Sequence, residues 1–171
     1  MSIDDPSIYT GEEKRAFVVK ITSTIEKMLN ENEIMIGWSK AEGLLDESLT
    51  KKEFREIIHK QYFPLEDQKR RAGQVAGDLW RFIREMNLEH FVLVSTEEGF
   101  YIGRVAGKAT YDEMKIFNDT AFRRKVNWLN KKTPFPLERT PDDFLKRMKT
   151  IQSVIEATDL YEEISFMVRM A

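Results

Sequence analysis

Apolar and polar positions along this chain switch several times between a period of two and a period near 3.6. Residues 16–21 are a short apolar run that reads as a strand, and Ile25, Met28 and Leu29 continue from Ile21 at helical spacing. Residues 34–38 read as a short buried strand ending at Gly37-Trp38, and 39–48 as loop. Thr50-Lys51-Lys52-Glu53 has the form of a capping box, with Phe54, Ile57 and Ile58 following on one helical face and Pro64 ending the segment. Val75, Leu79, Phe82, Ile83 and Met86 recur at helical spacing and predict the longest helix, over 67–86. Two apolar runs, 91–95 and 100–106, flank Thr96-Glu97-Glu98-Gly99 and predict a β-hairpin. Residues 111–121 read as irregular, and 125–129 as a strand. Thr140-Pro141-Asp142-Asp143 starts a helix whose inner face carries Phe144, Leu145 and Met148. A closing strand is expected within 150–157. Leu160, Ile164, Met167 and Val168 give 159–171 an amphipathic helical face. The pattern predicts an α+β fold: a flexible segment at 1–14, a folded unit over 15–158, and a C-terminal helix.

Composition narrows the function. At 171 residues with 42% hydrophobic and 33% charged residues, the chain can bury one ordinary core. Its net charge of −2 does not advertise a polyanion partner, so any such function rests on local patches. With no cysteine and only His59 and His90, disulfides, thiol chemistry and Cys/His metal sites drop out, and no cofactor is expected. The first residues have neither a basic nor an apolar leader pattern, so a cytoplasmic protein without a membrane partner is expected. No nucleophile-elbow or phosphate-cradling glycine pattern occurs, and acid pairs such as Asp142-Asp143 suit a helix N-terminus. The expectation is a binding protein, not an enzyme.

The candidate binding residues are aromatic and basic. Trp38 ends a strand beside a glycine, so it either covers the core or walls a pocket for a planar ring; Ser39 follows it. Trp80 and Trp128 fit core positions. Tyr101 alternates with Phe100 and Ile102, and with Gly103 beside it the phenol's face leaves room for a flat ligand. Arg104 shares the Phe100 phase and must reach a rim. Lys69-Arg70-Arg71, Arg123-Arg124-Lys125 and Lys131-Lys132 are basic clusters that either contact phosphates or form solvated faces.

Four segments in order carry a resemblance: Ile36-Gly37-Trp38, Trp80-Arg81-Phe82-Ile83, the run from Tyr101 to Gly107, and the run from Arg123 to Leu129. Together they resemble the N-terminal specificity domain of Mrr-type restriction endonucleases. More distantly, Trp38-Ser39, Gly99 to Ala106, and Val126-Asn127-Trp128-Leu129 with Pro134-Phe135-Pro136-Leu137 are similar to the YTH and EVE domains of the PUA-like superfamily. The resemblance implies a small twisted β-barrel flanked by helices, reading a base turned out of its stack. It implies base contacts from Trp38, Ser39, Tyr101 and Tyr111, and phosphate contacts from Arg104, Arg123, Arg124 and Lys125. It favours DNA over RNA and a link to prokaryotic restriction or defence, either as a free-standing reader or with an effector nuclease on a separate chain. Two other readings stand beside it: an RNA-binding PUA-like protein, and a protein-interaction module forming a homodimer through the C-terminal helix.

Overall fold

The computed structural model describes residues 14–20 and 25–171. The segment expected to be loose at 1–14 lies outside the described residues except for Lys14, as does Ile21 at the end of the first expected strand. Among the described residues the strands are β1 (Ala16–Lys20), β2 (Glu33–Ile36), β3 (Phe91–Thr96), β4 (Gly99–Val105), β5 (Thr110–Tyr111), β6 (Phe122–Trp128), β7 (Phe135–Pro136) and β8 (Val154–Glu156). The helices are α1 (Ile25–Glu31), α2 (Lys51–Tyr62), α3 (Lys69–Trp80), α4 (Asp142–Arg147) and α5 (Tyr161–Arg169). The sheet runs β2-β6-β4-β3-β1-β8, with β5 on β6 and β7 on β4. β1 lies parallel to β3, and the other pairs are antiparallel. The fold is α+β, its mixed sheet curled into a half-barrel.

Strand alternation sorts the apolar residues into two cores. Phe17 and Val19 of β1, Val92 and Val94 of β3, and Tyr101 and Val105 of β4 join Phe54, Ile58, Val75, Leu79 and Phe82 from the α2–α3 side. Their neighbours Ala16, Val18, Phe91, Leu93, Phe100 and Ile102 join Phe144, Leu160, Tyr161 and Ile164 on the α4–α5 side. The central strands are therefore covered on both faces, and every residue of β4 is buried. The C-terminal helix belongs to the second of these cores.

Local signals explain the ends of the elements. The Thr50 capping box forms as expected: Glu53 N donates to Thr50 Oγ1 at 3.1 Å, and Thr50 N donates back to Glu53 Oε1 at 3.1 Å. β3 and β4 pair from Phe91↔Arg104 to Thr96↔Gly99, giving the expected hairpin. Gly99 has φ 141°, a value that L side chains rarely adopt. The helix expected over 67–86 is α3 followed by a wide turn, Arg81–Glu85, closed by Met86 N donating to Arg81 O at 2.8 Å. β6 begins three residues earlier than its pattern suggests, because Phe122, Arg123 and Arg124 pair with β2 before the strand crosses to β4 at Val126. That shift moves the basic run from a strand's entry into its body.

Candidate functional site

The chain leaves β2 through Gly37-Trp38-Ser39, and Trp38 stands at φ 68°. Left-handed backbone is a true outlier for a bulky residue, and it costs about 1–2 kcal/mol for an L side chain. Its neighbours fix it there. Ser39 is fully buried and held three ways: its N–H donates to Asp119 Oδ1 at 2.9 Å, its Oγ accepts from Ala121 N at 3.0 Å, and its carbonyl accepts from the Tyr111 hydroxyl at 2.6 Å. The indole packs edge-on against Tyr62, centroids 5.0 Å apart, and against Phe63 at 5.7 Å. Both rings stand at the end of α2, which stops short of Pro64. Lys40 N donates to the Tyr62 hydroxyl at 2.8 Å. Burial raises the Tyr62 phenol above its ordinary pKa, and Asp119 and Tyr111 push the same way. Burial also raises Tyr111, helped by Glu42 and Glu113.

Behind the indole is a cavity of about 140 Å³ lined by Ile36, Gly37, Trp38, Asp78, Asp119 and Ser153. At about 30 Å³ per water this holds four or five waters, or one small planar ring. Asp78 projects from α3 and is buried; its Oδ1 accepts from Ser153 N at 3.0 Å, Val154 N at 3.1 Å and Arg81 Nη2 at 2.9 Å. The cavity thus sets one aromatic ring beside two carboxylates on fixed backbone. The loop ending at Asp119 carries Met114 and Phe117, which are 85% and 97% exposed.

Of the residues expected to hold a base, Trp38, Ser39 and Tyr111 come together here, with Ser39 and Tyr111 acting on the backbone that presents the indole. Tyr101 does not join them. Its side of β4 is the core beneath α2 and α3, not an open face. Gly103 opens onto no ligand space either: a Cβ there would stand 2.3 Å from Val126 Cγ1 and 3.2 Å from Trp128 Cε3. The close approach serves strand packing.

Three of the four expected phosphate contacts are interior residues. Arg124, 3% exposed, donates to the carbonyls of Gly107 (2.8 Å), Phe82 (3.0 Å) and Met86 (2.9 Å), stitching β6 to the wide turn after α3. Burial pulls its guanidinium down to about 10. Arg123 is buried, paired with Glu31 at 2.6 Å and donating to Thr120 O at 2.9 Å. Arg104 is buried over the Phe91 ring at 4.2 Å and donates to Glu89 O at 2.9 Å. Lys125 alone of the four is exposed. With the Arg123 and Arg124 side chains committed to interior carbonyls and carboxylates, Lys125 is the residue of this run that is open to a phosphate.

Sequence reasoning missed Asp78, Asp119, Tyr62 and Phe63. Asp78 had a signal: an acid next to Gly77 and Leu79 on the apolar stripe of α3. Tyr62-Phe63 had one too, two aromatics ahead of a helix-stopping proline. Asp119 had none, since only the fold brings its irregular loop to β2.

Residues 18–154 match a family described as a domain of unknown function, DUF8426. The chain belongs to that family. No curated protein matches the chain. The DUF8426 match takes in all six residues lining the cavity and ends before α5. Among the described residues no helix is long and apolar enough to cross a membrane.

Proposed function

We propose that this DUF8426 protein is a PUA-like reader that takes one base, turned out of its nucleic-acid stack, into the Trp38 cavity. The observation that carries this reading is a tryptophan held in left-handed backbone at the wall of a ring-sized cavity. Strained backbone persists only where the surrounding structure over-determines it, and such strain concentrates at ligand sites. An indole offers every base a stacking face. A carboxylate accepts hydrogen bonds and does not donate them, so Asp78 and Asp119 favour a ring edge bearing N–H groups. The amines of cytosine and adenine fit that edge better than the carbonyls of thymine. Met114 and Phe117 supply apolar side chains of the kind that occupy space between unstacked bases. The similarity to Mrr-type specificity domains favours modified DNA over RNA and a place in restriction or defence, with cleavage carried out by a separate nuclease chain.

The test is a binding screen against DNA and RNA oligonucleotides carrying each common modified base, read by fluorescence anisotropy. Stacking contributes about 1–3 kcal/mol per base, so Trp38→Ala should weaken the best oligonucleotide by about tenfold or more. Unchanged affinity with an unchanged circular dichroism spectrum would sink the reading.

A second reading has its own observation. A largely apolar groove of about 790 Å³ runs between α5 and residues 130–141, where Phe166 and Met170 are exposed. A protein-interaction module or homodimer through α5 would use it. Salt separates the two: phosphate contacts make log affinity fall steeply with log salt, and an apolar interface does not.

A further inference from the structure

Arg123 and Arg124 on β6 are interior, so a nucleic-acid backbone would need a further cationic path beyond Lys125. The α2–α3 hairpin has one. Lys52, Arg55 and His59 recur along α2 at spacings of three and four, which puts them on one face. With Glu56 they line a cleft of about 420 Å³, closed on the other side by Lys69, Arg70 and Ala72 of α3. Lys69 is paired with Glu66 at 2.7 Å, while Lys52, Arg55 and Arg70 are exposed. Residues 51–71 hold seven lysines and arginines against four carboxylates, a local excess of three positive charges in a chain of net charge −2. The hairpin is thus a cationic region on an otherwise acidic protein.

Glu66 and Asp67 stand in the turn that runs into α3 and offset part of the charge of Lys69, Arg70 and Arg71, with Glu66 paired to Lys69. Arg71, next to the cleft residues Arg70 and Ala72 in sequence, reaches the aromatic cluster. The Arg71 guanidinium lies 5.9 Å from the Phe63 ring centroid, and Phe63 packs on Trp38 at 5.7 Å. One aromatic ring separates the cavity wall from the hairpin's cations.

We infer that the α2–α3 cleft is a phosphodiester-binding site, holding the nucleic-acid backbone next to the base that Trp38 receives. This rests on the base-reading function for its ligand, while its residues are independent of the cavity. Lys52, Arg55 and Arg70 supply charge and carry no base information. They should therefore act on affinity and salt dependence, and Trp38 on discrimination between bases.

The experiment compares Lys52→Gln/Arg70→Gln, the charge-keeping Lys52→Arg/Arg70→Lys, and Trp38→Ala. The probes are matched DNA oligonucleotides with the best modified base from the screen and with its unmodified counterpart, across 50–300 mM salt. At about 0.1 M salt each phosphate contact contributes about 0.9 log unit through counterion release, or about eightfold. The Gln pair should weaken both oligonucleotides by about sixtyfold and flatten the log–log salt slope by about two units. The charge-keeping pair should restore both, and Trp38→Ala should keep the wild-type slope. Wild-type affinity and slope in the Gln pair, with binding lost in Trp38→Ala, would overturn the cleft and leave the base reading standing. A loss in the Gln pair with none in Trp38→Ala would keep the cleft as a phosphodiester site and overturn the base reading. Loss confined to the modified oligonucleotide, or no DNA binding by the wild type, would overturn the cleft assignment. Circular dichroism and thermal melts of all three variants identify any loss caused by unfolding.

Discussion

Replacing Trp38 by glycine and by alanine separates backbone strain from ring contact. Both substitutions remove the indole and its packing against Tyr62 and Phe63, so both should destabilise the fold and abolish stacking. They differ at the backbone. At φ 68° alanine retains a left-handed cost of about 1–2 kcal/mol that glycine does not have. Glycine gives back about 0.4–1 kcal/mol through the greater freedom of its unfolded chain. The net expectation is that Trp38→Gly is more stable than Trp38→Ala by about 0.5–1 kcal/mol. For a domain of this size about 2–4 °C accompanies each kcal/mol, giving a Tm difference of roughly 1–4 °C. Thermal melts by circular dichroism, with urea titrations as a second measure, read this directly. Oligonucleotide anisotropy on the same samples should find both variants equally impaired. An alanine variant as stable as the glycine variant would refute strain at this position. A glycine variant that binds like wild type would refute the indole as the cavity wall.

Gly37→Ala places a Cβ 2.6 Å from Asp119 Oδ2, so the carboxylate that accepts from the buried Ser39 N–H must shift; leaving that donor unpaired costs about 1–3 kcal/mol, and Tm should fall by roughly 2–12 °C together with affinity for an amino-bearing base, whereas an unchanged Tm would mean that Asp119 gives way without releasing Ser39. Gly103→Ala forces a Cβ against Val126 and Trp128, an overpacking cost of about 1–3 kcal/mol that should lower Tm by roughly 2–12 °C; an unchanged Tm would mean that Gly103 faces open space after all. Arg147 holds the Asp159 carboxyl below its ordinary pKa of 3.8 through hydrogen bonds of 2.6 and 2.8 Å. A depressed carboxyl stabilises the fold above its unfolded pKa and loses that contribution as pH falls through the folded value. Asp159→Asn should thus cost at most about 1 kcal/mol at pH 7, the pair being partly exposed. In urea titrations the gap from wild type should shrink below about pH 4, and a gap constant down to pH 2 would contradict the ion pair.

The elements were legible where one local signal decided them. The Thr50 capping box, the 91–105 hairpin and the Pro141 helix start each depend on residues close in sequence. Of the candidate site, Trp38, Ser39 and Tyr111 were legible as residue types, but the partners that form the cavity beside Trp38 were not. Asp78, Asp119 and Ser153 come from three separate elements and meet only through the fold. The illegible part of the sheet has one physical cause. Alternation along β4 distinguishes two faces but does not say whether the second faces solvent. Here both are covered, which turns Tyr101 from a ligand platform into core and Gly103 from an opening into a close strand contact. The arginines follow from the same fact: a basic run paired between β2 and β4 can stay inside only by giving its N–H groups to carbonyls and carboxylates.

The charge distribution then fixes how a polyanion could approach. The burial of Arg104, Arg123 and Arg124 removes from the surface three positive charges that sequence counting places there. On the proposed reading, exposed carboxylates outside the hairpin would work against a phosphate backbone. The α2–α3 hairpin, with its excess of three positive charges, is where attraction can exceed that repulsion, and its end carries the rings that pack on Trp38. A backbone drawn to the hairpin therefore arrives next to the cavity. On that reading, carboxylates outside the hairpin would restrict orientation as well as affinity. Neutralising exposed acids far from the hairpin would then raise affinity for every oligonucleotide and lower the preference for the modified one, whereas a protein whose partner docks on the apolar α5 groove would register no such trade.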